Sequence, residues 1–181
     1  MKIEQTALPE VLLLTPTLHR DERGSFFESF NLRTMSAAGL PTNWVQDNFS
    51  ISRKNVLRGI HYQITQPQGK LVRVTHGRVL DVAVDLRRGS PGFARSATIE
   101  LNGDDSRMVW IPEGFGHGFL VLSEVAGFAY KVTDYYSAAG ERTIAWDDRE
   151  LNIPWPVAPA DVIVSARDRM GSRLCDAETF L

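Results

Sequence analysis

The sequence has little cysteine, no long apolar run and no excess of either charge. Cys175 is the single cysteine, which excludes an internal disulfide and suits a reducing compartment. The longest early apolar run, residues 11–14, is far too short for a membrane span or the core of a signal peptide. The 20 basic and 22 acidic side chains give a formal net charge of −2, so neither nucleic acid nor a membrane surface is expected as a partner. A soluble, cytoplasmic protein is predicted.

The chain also lacks internal repeats, low-complexity tracts and linkers. Its 181 residues, 43% of them hydrophobic, are enough to bury one substantial core. We therefore predict a single domain over residues 1–181. Residues from about 45 to 135 are expected to form its barrel, flanked by an N-terminal strand segment and a C-terminal wrap.

Helical patterning is scarce, and most of the chain has the pattern of β-strands. The stretch 80–86 alternates with a period of two, which predicts a strand with one buried face. Further β-rich runs occur at 71–74, 98–101, 108–111 and 119–122, with turn residues between them. This spacing predicts an all-β fold, an antiparallel sandwich or small barrel. A helix is expected at 32–38, ended by Gly39, and a short helical turn near 166–170.

Two histidine segments stand where a cupin barrel usually keeps its metal ligands. Residues 111–119 contain the full Pro-x-Gly-x-x-His pattern that ends at His117. The other segment, 57–63, offers His61, but Gln63 stands where a second histidine is usual, and no glutamate follows at ligand spacing. A divalent metal normally needs three or four converging side chains. The sequence thus predicts a cupin-like pocket without a metal, in which His61 is free to transfer protons.

Several polar residues are candidates for the barrel interior. Strand parity puts Arg58 and His61 on opposite faces unless the chain bends, and Gly59 would permit a bend. A hydrogen-bonded core histidine remains an alternative for His61. His19 and His76 have no such neighbours and are expected at the surface.

Two more residues have a functional and a structural interpretation. Parity predicts that Tyr130 points into the barrel while Lys131 points out, although an ordinary aromatic strand residue is the commoner case. Asp168 is either a helix cap or the partner of a histidine ring nitrogen, which would hold the imidazole in the tautomer that accepts a proton on its other nitrogen.

Eight segments, in order along nearly the whole chain, resemble the dTDP-4-dehydrorhamnose 3,5-epimerase family. They are residues 21–28, 46–50, 57–63, 68–74, 110–119, 130–136, 146–148 and 165–168. The resemblance implies a metal-free, cupin-like jelly roll with short C-terminal helical segments, usually a homodimer. It implies no cofactor and a dTDP-4-keto-6-deoxyhexose as substrate.

The resemblance also implies roles for individual residues. His61 matches the general base, Asp168 the residue that orients it, Tyr130 the proton donor and Lys70 the group near the keto oxygen. Substrate contacts carry over to Arg23, Glu28, Gln46, Asp47, Asn48, Arg58, Lys70, His117, Glu141 and Arg167, with Tyr136 stacking on thymine. The family often has lysine where this chain has Arg167.

These residue types suit the implied chemistry. A C–H bond beside a ketone becomes acidic when the enolate oxygen is stabilised, here by Lys70. Inversion needs a base and an acid on opposite faces of the sugar, and His61 and Tyr130 supply them. The expected reaction is epimerisation at C3 and C5. The alternatives are inversion at one centre only, as in antibiotic-sugar pathways, a metal-dependent cupin enzyme, or a non-catalytic sugar-nucleotide binding module.

Overall fold

The computed structural model describes all of residues 1–181, and most of its regular structure is β-strand. The strands are β1 Lys2–Gln5, β2 Leu12–Thr15, β3 His19–Asp21, β4 Gly24–Phe26, β5 Gln46–Arg53, β6 Leu57–Gln63, β7 Lys70–His76, β8 Arg78–Asp85, β9 Ser96–Asn102, β10 Met108–Ile111, β11 Phe115–Val121, β12 Val125–Val132 and β13 Glu141–Thr143. The helices are α1 Leu32–Ala37 and α2 Ala166–Arg169, with single 3₁₀ turns at Pro159–Asp161 and Leu174–Asp176.

Two antiparallel sheets form the body of the fold. The six-stranded sheet has the order β1-β2-β10-β7-β12-β5, and the five-stranded sheet has the order β13-β6-β11-β8-β9. β3 and β4 form a separate hairpin. Apart from β1–β2 and β8–β9, neighbouring strands in both sheets are not consecutive in sequence, as expected for a jelly roll rather than a meander. The predicted all-β, cupin-like fold is confirmed.

The largest apolar cluster lies between the two sheets. Val72, Phe119 and Phe128 belong to it, and the last two rings stack with centroids 4.1 Å apart. Burial of such side chains contributes about 25 cal/mol per Å² of apolar surface, so this layer is a main source of stability. The polar pocket described below opens within the same layer.

The strand β8 differs from the prediction of one buried face. Val82 and Val84 pack against the C-terminal segment, in a second apolar cluster that includes Leu151 and Leu174. The opposite face, with Asp81, points between the sheets and is also fully buried. The C-terminal wrap therefore covers the side that would otherwise meet solvent, which makes both faces internal.

The predicted helices are present at nearly the predicted positions. Asn31 caps α1 by accepting hydrogen bonds from two backbone N–H groups, and Gly39 follows the helix with φ +70°. Ser165 caps α2 by accepting a hydrogen bond from the Asp168 N–H, 3.0 Å away. No helix in the protein is long and apolar enough to cross a membrane.

Candidate active site

A bend in β6 places two polar side chains toward the same space. His61 pairs with His117 on β11, whereas Arg58 pairs with Phe119, so β6 carries one extra residue between these pairs. Gly59 lies in this bulge with φ +129°, and a Cβ there would come within 2.8 Å of the His117 carbonyl oxygen. The predicted bend at Gly59 is therefore present, and it brings Arg58 and His61 to one pocket.

The His61 imidazole is bonded to a buried carboxylate. Its Nε2 lies 2.5 Å from Oδ1 of Asp168, which is 4% exposed. Because Ser165 caps α2, the Asp168 carboxylate is left to accept from the imidazole. A proton held on Nε2 by Asp168 leaves Nδ1 as the proton acceptor, and Nδ1 has no hydrogen-bond partner within the protein. Of the two interpretations of Asp168, the structure thus supports the one in which its carboxylate is the partner of a histidine ring nitrogen, and the helix cap is Ser165.

Lys70, at the start of β7, is buried beside this pair. Its ammonium makes one long hydrogen bond, 3.5 Å to the backbone carbonyl oxygen of His61. Burial lowers the pKa of Lys70 to about 8, although the nearby carboxylates of Asp81 and Glu141 act in the opposite direction. The result is a poorly solvated cation with free donor capacity, which suits an oxygen that develops negative charge.

Tyr130 points between the sheets from β12, as strand parity predicts. It packs against the main apolar cluster and lines the same pocket as His61, Lys70 and His117. Burial raises the pKa of its phenol, so the group stays protonated at neutral pH and can donate a proton. Lys131 faces the other side of the sheet, where it pairs with Asp47 at 2.8 Å.

A second histidine–carboxylate pair lies deeper in the pocket, and its acidic member was missed in the sequence analysis. Asp81 Oδ2 accepts from His117 Nε2 at 2.8 Å, and both residues are buried. Its other oxygen, Oδ1, has no hydrogen-bond partner. Burial lowers the pKa of His117 despite this carboxylate, so the ring is neutral at pH 7. The signal in the sequence was an acidic residue inside the apolar alternation of residues 80–86, for which only one buried face was predicted.

The mouth of the pocket carries a cluster from three segments. Tyr136 Oη donates to Glu141 Oε2 at 2.7 Å, and Arg167 is ion-paired to the same oxygen. Gln46 joins this cluster, because its Oε1 accepts from the Tyr136 N–H at 3.4 Å and its Nε2 donates to Asn48 at 2.8 Å. Asn48 lines the pocket with His61, Arg167 lines an adjoining cavity that also contains His61, and hydrogen bonds connect these two residues through Gln46, Tyr136 and Glu141.

Three predicted substrate contacts lie elsewhere in this single chain. Arg23 is exposed in the β3–β4 hairpin and pairs with Asp21, and Glu28 is exposed beyond that hairpin, where it accepts from Asn31. Asp47 differs from its neighbours Gln46 and Asn48 because alternate residues of β5 face opposite sides, and it lies on the outer face. His19 and His76 are exposed, as predicted.

The histidines of the pocket, which are the side chains that could bind a metal ion, are already hydrogen-bonded to carboxylates. His61 and His117 are cross-strand neighbours, each bonded to its own aspartate. Among all residues, no group of three or more His, Cys, Asp or Glu side chains is arranged to hold a metal ion. Together with a buried ammonium and a protonated phenol, these pairs define an acid–base enzyme site inside a cupin-like jelly roll.

Comparison with known proteins identifies the family. The family model described as dTDP-4-dehydrorhamnose 3,5-epimerase matches residues 5–176. The chain is 51% identical to the dTDP-4-dehydrorhamnose 3,5-epimerase of Pseudomonas aeruginosa over 99% of both chains. The chain belongs to the dTDP-4-dehydrorhamnose 3,5-epimerase family, as the sequence motifs predicted.

Solved structures agree with this assignment. A dTDP-6-deoxy-D-glucose-3,5-epimerase of Legionella pneumophila, solved with dTDP-4-keto-L-rhamnose, is 46% identical, with a TM-score of 0.93 over 98% of this chain and 94% of that chain. A more distant match is ChmJ, a 3′-monoepimerase from Streptomyces bikiniensis solved with dTDP-quinovose. It is 30% identical, with a TM-score of 0.87 over 94% of this chain and 87% of that chain.

Proposed function

We propose that this chain inverts C3 and C5 of dTDP-4-dehydro-6-deoxy-D-glucose to give dTDP-4-dehydro-L-rhamnose, without a cofactor. The observation that carries the proposal is that His61, backed by the Asp168 carboxylate at 2.5 Å, shares one pocket with Tyr130 and Lys70. A base, an acid and a buried cation are the three groups that epimerisation beside a ketone needs.

Each inversion begins with proton transfer from a sugar C–H to Nδ1 of His61. The C–H electron pair moves into the ring carbon–carbon bond, and the C4 ketone becomes an enolate whose oxygen is stabilised by the Lys70 ammonium. The charge that forms on the imidazole is balanced by Asp168. Collapse of the enolate takes a proton from Tyr130 on the opposite face, which inverts the carbon. Proton exchange with solvent then returns His61 and Tyr130 to their starting protonation states before the second carbon is inverted.

The remaining pocket residues are proposed to hold the nucleotide and the sugar. Arg58 and Arg167 carry forked guanidinium groups that suit the pyrophosphate, and Tyr136 offers an exposed ring to the thymine. His117, held by Asp81, is a neutral donor or acceptor for the sugar. Gln46, Asn48 and Glu141 adjoin the same opening and are assigned to substrate contacts.

A homodimer is proposed to complete the site, because this chain leaves Arg23 exposed in the β3–β4 hairpin and Glu28 exposed just beyond it. Phe26, the last residue of β4, is 72% exposed, and the edge strand β5 exposes Phe49 and Ile51. Contact between the hairpin of one subunit and the sheet of another would cover these apolar groups and bring the two charged residues toward a pocket. Equilibrium sedimentation of the wild-type chain and of Phe26→Ser tests it, with a dimer expected for the wild type and a weakened dimer for the variant.

Double inversion is favoured over inversion at a single centre. The 51% identical relative is named a 3,5-epimerase, whereas the 3′-monoepimerase match is 30% identical. We also propose that residues 1–181 act as one epimerase domain, since the pocket draws side chains from β5 to α2. A cytoplasmic location is proposed on the ground that the exposed Cys175 thiol suits a reducing compartment.

Hydrogen–deuterium exchange tests the reaction and its base together. Incubation of the substrate with wild-type protein in deuterated water should place label at both C3 and C5, detected by NMR. His61→Asn should abolish labelling while dTDP still binds, and the exposed His76→Asn serves as the matched control with wild-type labelling.

Four outcomes would contradict parts of the proposal. Label at one carbon only would favour a single-centre epimerase. Labelling retained in His61→Asn would overturn the assignment of the base. Tight, stoichiometric iron or manganese whose chelation stops turnover would favour a metal-dependent cupin enzyme. Binding of dTDP without any exchange would indicate a binding module.

A further inference from the structure

Gln63, which stands where a metal-binding cupin often has its second histidine, is buried and fully hydrogen-bonded. It is 4% exposed at the end of β6. Its side-chain Nε2 donates to the carbonyl oxygen of Gln66 at 2.7 Å and to that of Tyr135 at 3.2 Å. Its Oε1 accepts from the Ser137 N–H at 2.8 Å. Both donor hydrogens and the acceptor oxygen therefore serve backbone groups.

Two of these three bonds hold the backbone on either side of Tyr136. The Tyr136 ring is 52% exposed, so packing does little to fix it. Its own backbone N–H has one long contact, 3.4 Å to Gln46. The Gln63 amide thus holds the backbone directly on both sides of Tyr136 against β6. Two further bonds hold the same loop: Gln68 Nε2 donates to the Asp134 carbonyl oxygen at 2.7 Å, and the Tyr136 hydroxyl donates to Glu141 at 2.7 Å.

We propose that Gln63 is a positioning residue that sets the nucleotide-stacking ring of Tyr136 over the pocket mouth. The inference rests on the proposed function, since it assigns Gln63 to the binding of the thymidine diphosphate part of the substrate. It also gives a reason for glutamine at this position: a histidine ring has two nitrogens and cannot donate twice and accept once. A glutamate has the same shape, but its carboxylate would face two carbonyl oxygens.

The effect of Gln63 on binding is separable from any effect on proton transfer. His61 and Gln63 share a face of β6, but Gln63 makes no contact with His61, Lys70 or Tyr130 among its hydrogen bonds. Loss of the Gln63 amide should therefore loosen the Tyr136 ring and leave the acid, the base and the cation in place. We therefore expect a higher KM and a lower affinity for dTDP, whereas kcat at saturating substrate should be preserved.

The test measures dTDP binding by calorimetry and steady-state turnover for Gln63→Met and Gln63→Glu. Both variants should bind dTDP about tenfold more weakly and raise KM to a similar extent, because a loosened ring loses most of its stacking on the base. Their kcat should stay within about threefold of the wild-type value. Gln5→Met, at an exposed position on β1, is the matched control and should bind like the wild type. Thermal unfolding shows whether each Gln63 variant is folded. If one is not, the dTDP affinity and KM of the other test the proposal.

A double-mutant comparison with Tyr136→Ala distinguishes positioning from general damage. If Gln63 acts through Tyr136, adding Gln63→Met to Tyr136→Ala should weaken dTDP binding by less than about twofold more. Additive losses, a fall in kcat with unchanged dTDP affinity, or unchanged binding in the folded Gln63 variants would overturn the inference. Failure of the wild-type chain to bind dTDP would instead overturn the proposed function on which it rests.

Discussion

Replacement of Lys70 by methionine should stabilise the fold while it removes activity. Methionine has a similar length and no charge, so it fills the same space between the sheets without a buried ammonium. The lysine is 8% exposed, and its only hydrogen bond is the 3.5 Å contact to the His61 carbonyl oxygen. A cation held with so little compensation is expected to cost stability.

The size of this cost follows from the pKa of Lys70. Burial lowers that pKa from 10.5 to about 8, and each unit corresponds to about 1.36 kcal/mol, so the charged lysine costs about 3 kcal/mol of unfolding free energy. For a base with a lowered folded pKa the cost is complete below pH 8, declines as pH rises from 8 to 10.5, and vanishes above that range. The measured gain in the variant should be smaller than 3 kcal/mol, because Asp81 loses a nearby positive charge.

Urea unfolding of wild type and Lys70→Met between pH 6 and 10.5 measures the prediction. The variant should be more stable at pH 7, and the difference should shrink steadily above pH 8. Lys54→Met is the matched control, since Lys54 is exposed and its surface pair with Glu124 contributes at most about 1 kcal/mol. Turnover of Lys70→Met should fall about 100-fold to 1,000-fold, as for loss of an oxyanion donor. A stability difference that is absent at pH 7 or independent of pH would refute the reasoning, as would wild-type turnover.

Two further predictions concern the base and the acid. Asp168→Asn should slow solvent exchange at C3 and C5 about 10-fold to 100-fold, because a hydrogen bond to a charged group contributes about 1.5–3 kcal/mol; unchanged exchange with unchanged dTDP affinity would argue against an orienting role. Tyr130→Phe should lose inversion about 100-fold or more while label still enters the substrate with retained configuration, since His61 can return a proton to the face it came from. Chiral analysis of the labelled sugar checks this, and inverted product at the wild-type rate would contradict it.

Strand parity predicted much of the pocket because it is a local property. The inward direction of Tyr130 and the bend at Gly59 both follow from residues adjacent in sequence. The helix α1 was predicted for the same reason, from the pattern of residues 32–38 and the glycine that ends it. In each case the pattern that predicts the local structure is itself local in sequence, and contacts with distant parts of the chain did not change that structure.

Burial of both faces of β8 was not predictable from the strand alone. Alternation indicates which residues share a face, but it does not indicate what covers each face. The prediction of a single buried face placed the apolar residues of the alternation inside, and acidic residues such as Asp81 are seldom fully buried. The covering segment lies beyond residue 140, so no local pattern around β8 contains it. The family resemblance supplied Asp168 through a motif match, whereas it supplied nothing for Asp81.

Asp168 lies outside the barrel, so the barrel alone does not contain every residue of the proposed catalytic site. The barrel expected at about 45–135 contains His61, Lys70, His117 and Tyr130, but not Asp168, the carboxylate proposed to polarise the base. Asp168 reaches His61 because the chain returns to β6 after the barrel is complete: the Leu57 N–H donates to the Ile163 carbonyl oxygen at 2.9 Å, just before α2 begins. The barrel strands thus position the proposed acid, the buried cation and the imidazole, and the C-terminal wrap supplies the carboxylate that is hydrogen-bonded to that imidazole. The wrap is therefore part of the proposed active site as well as a cover for β8.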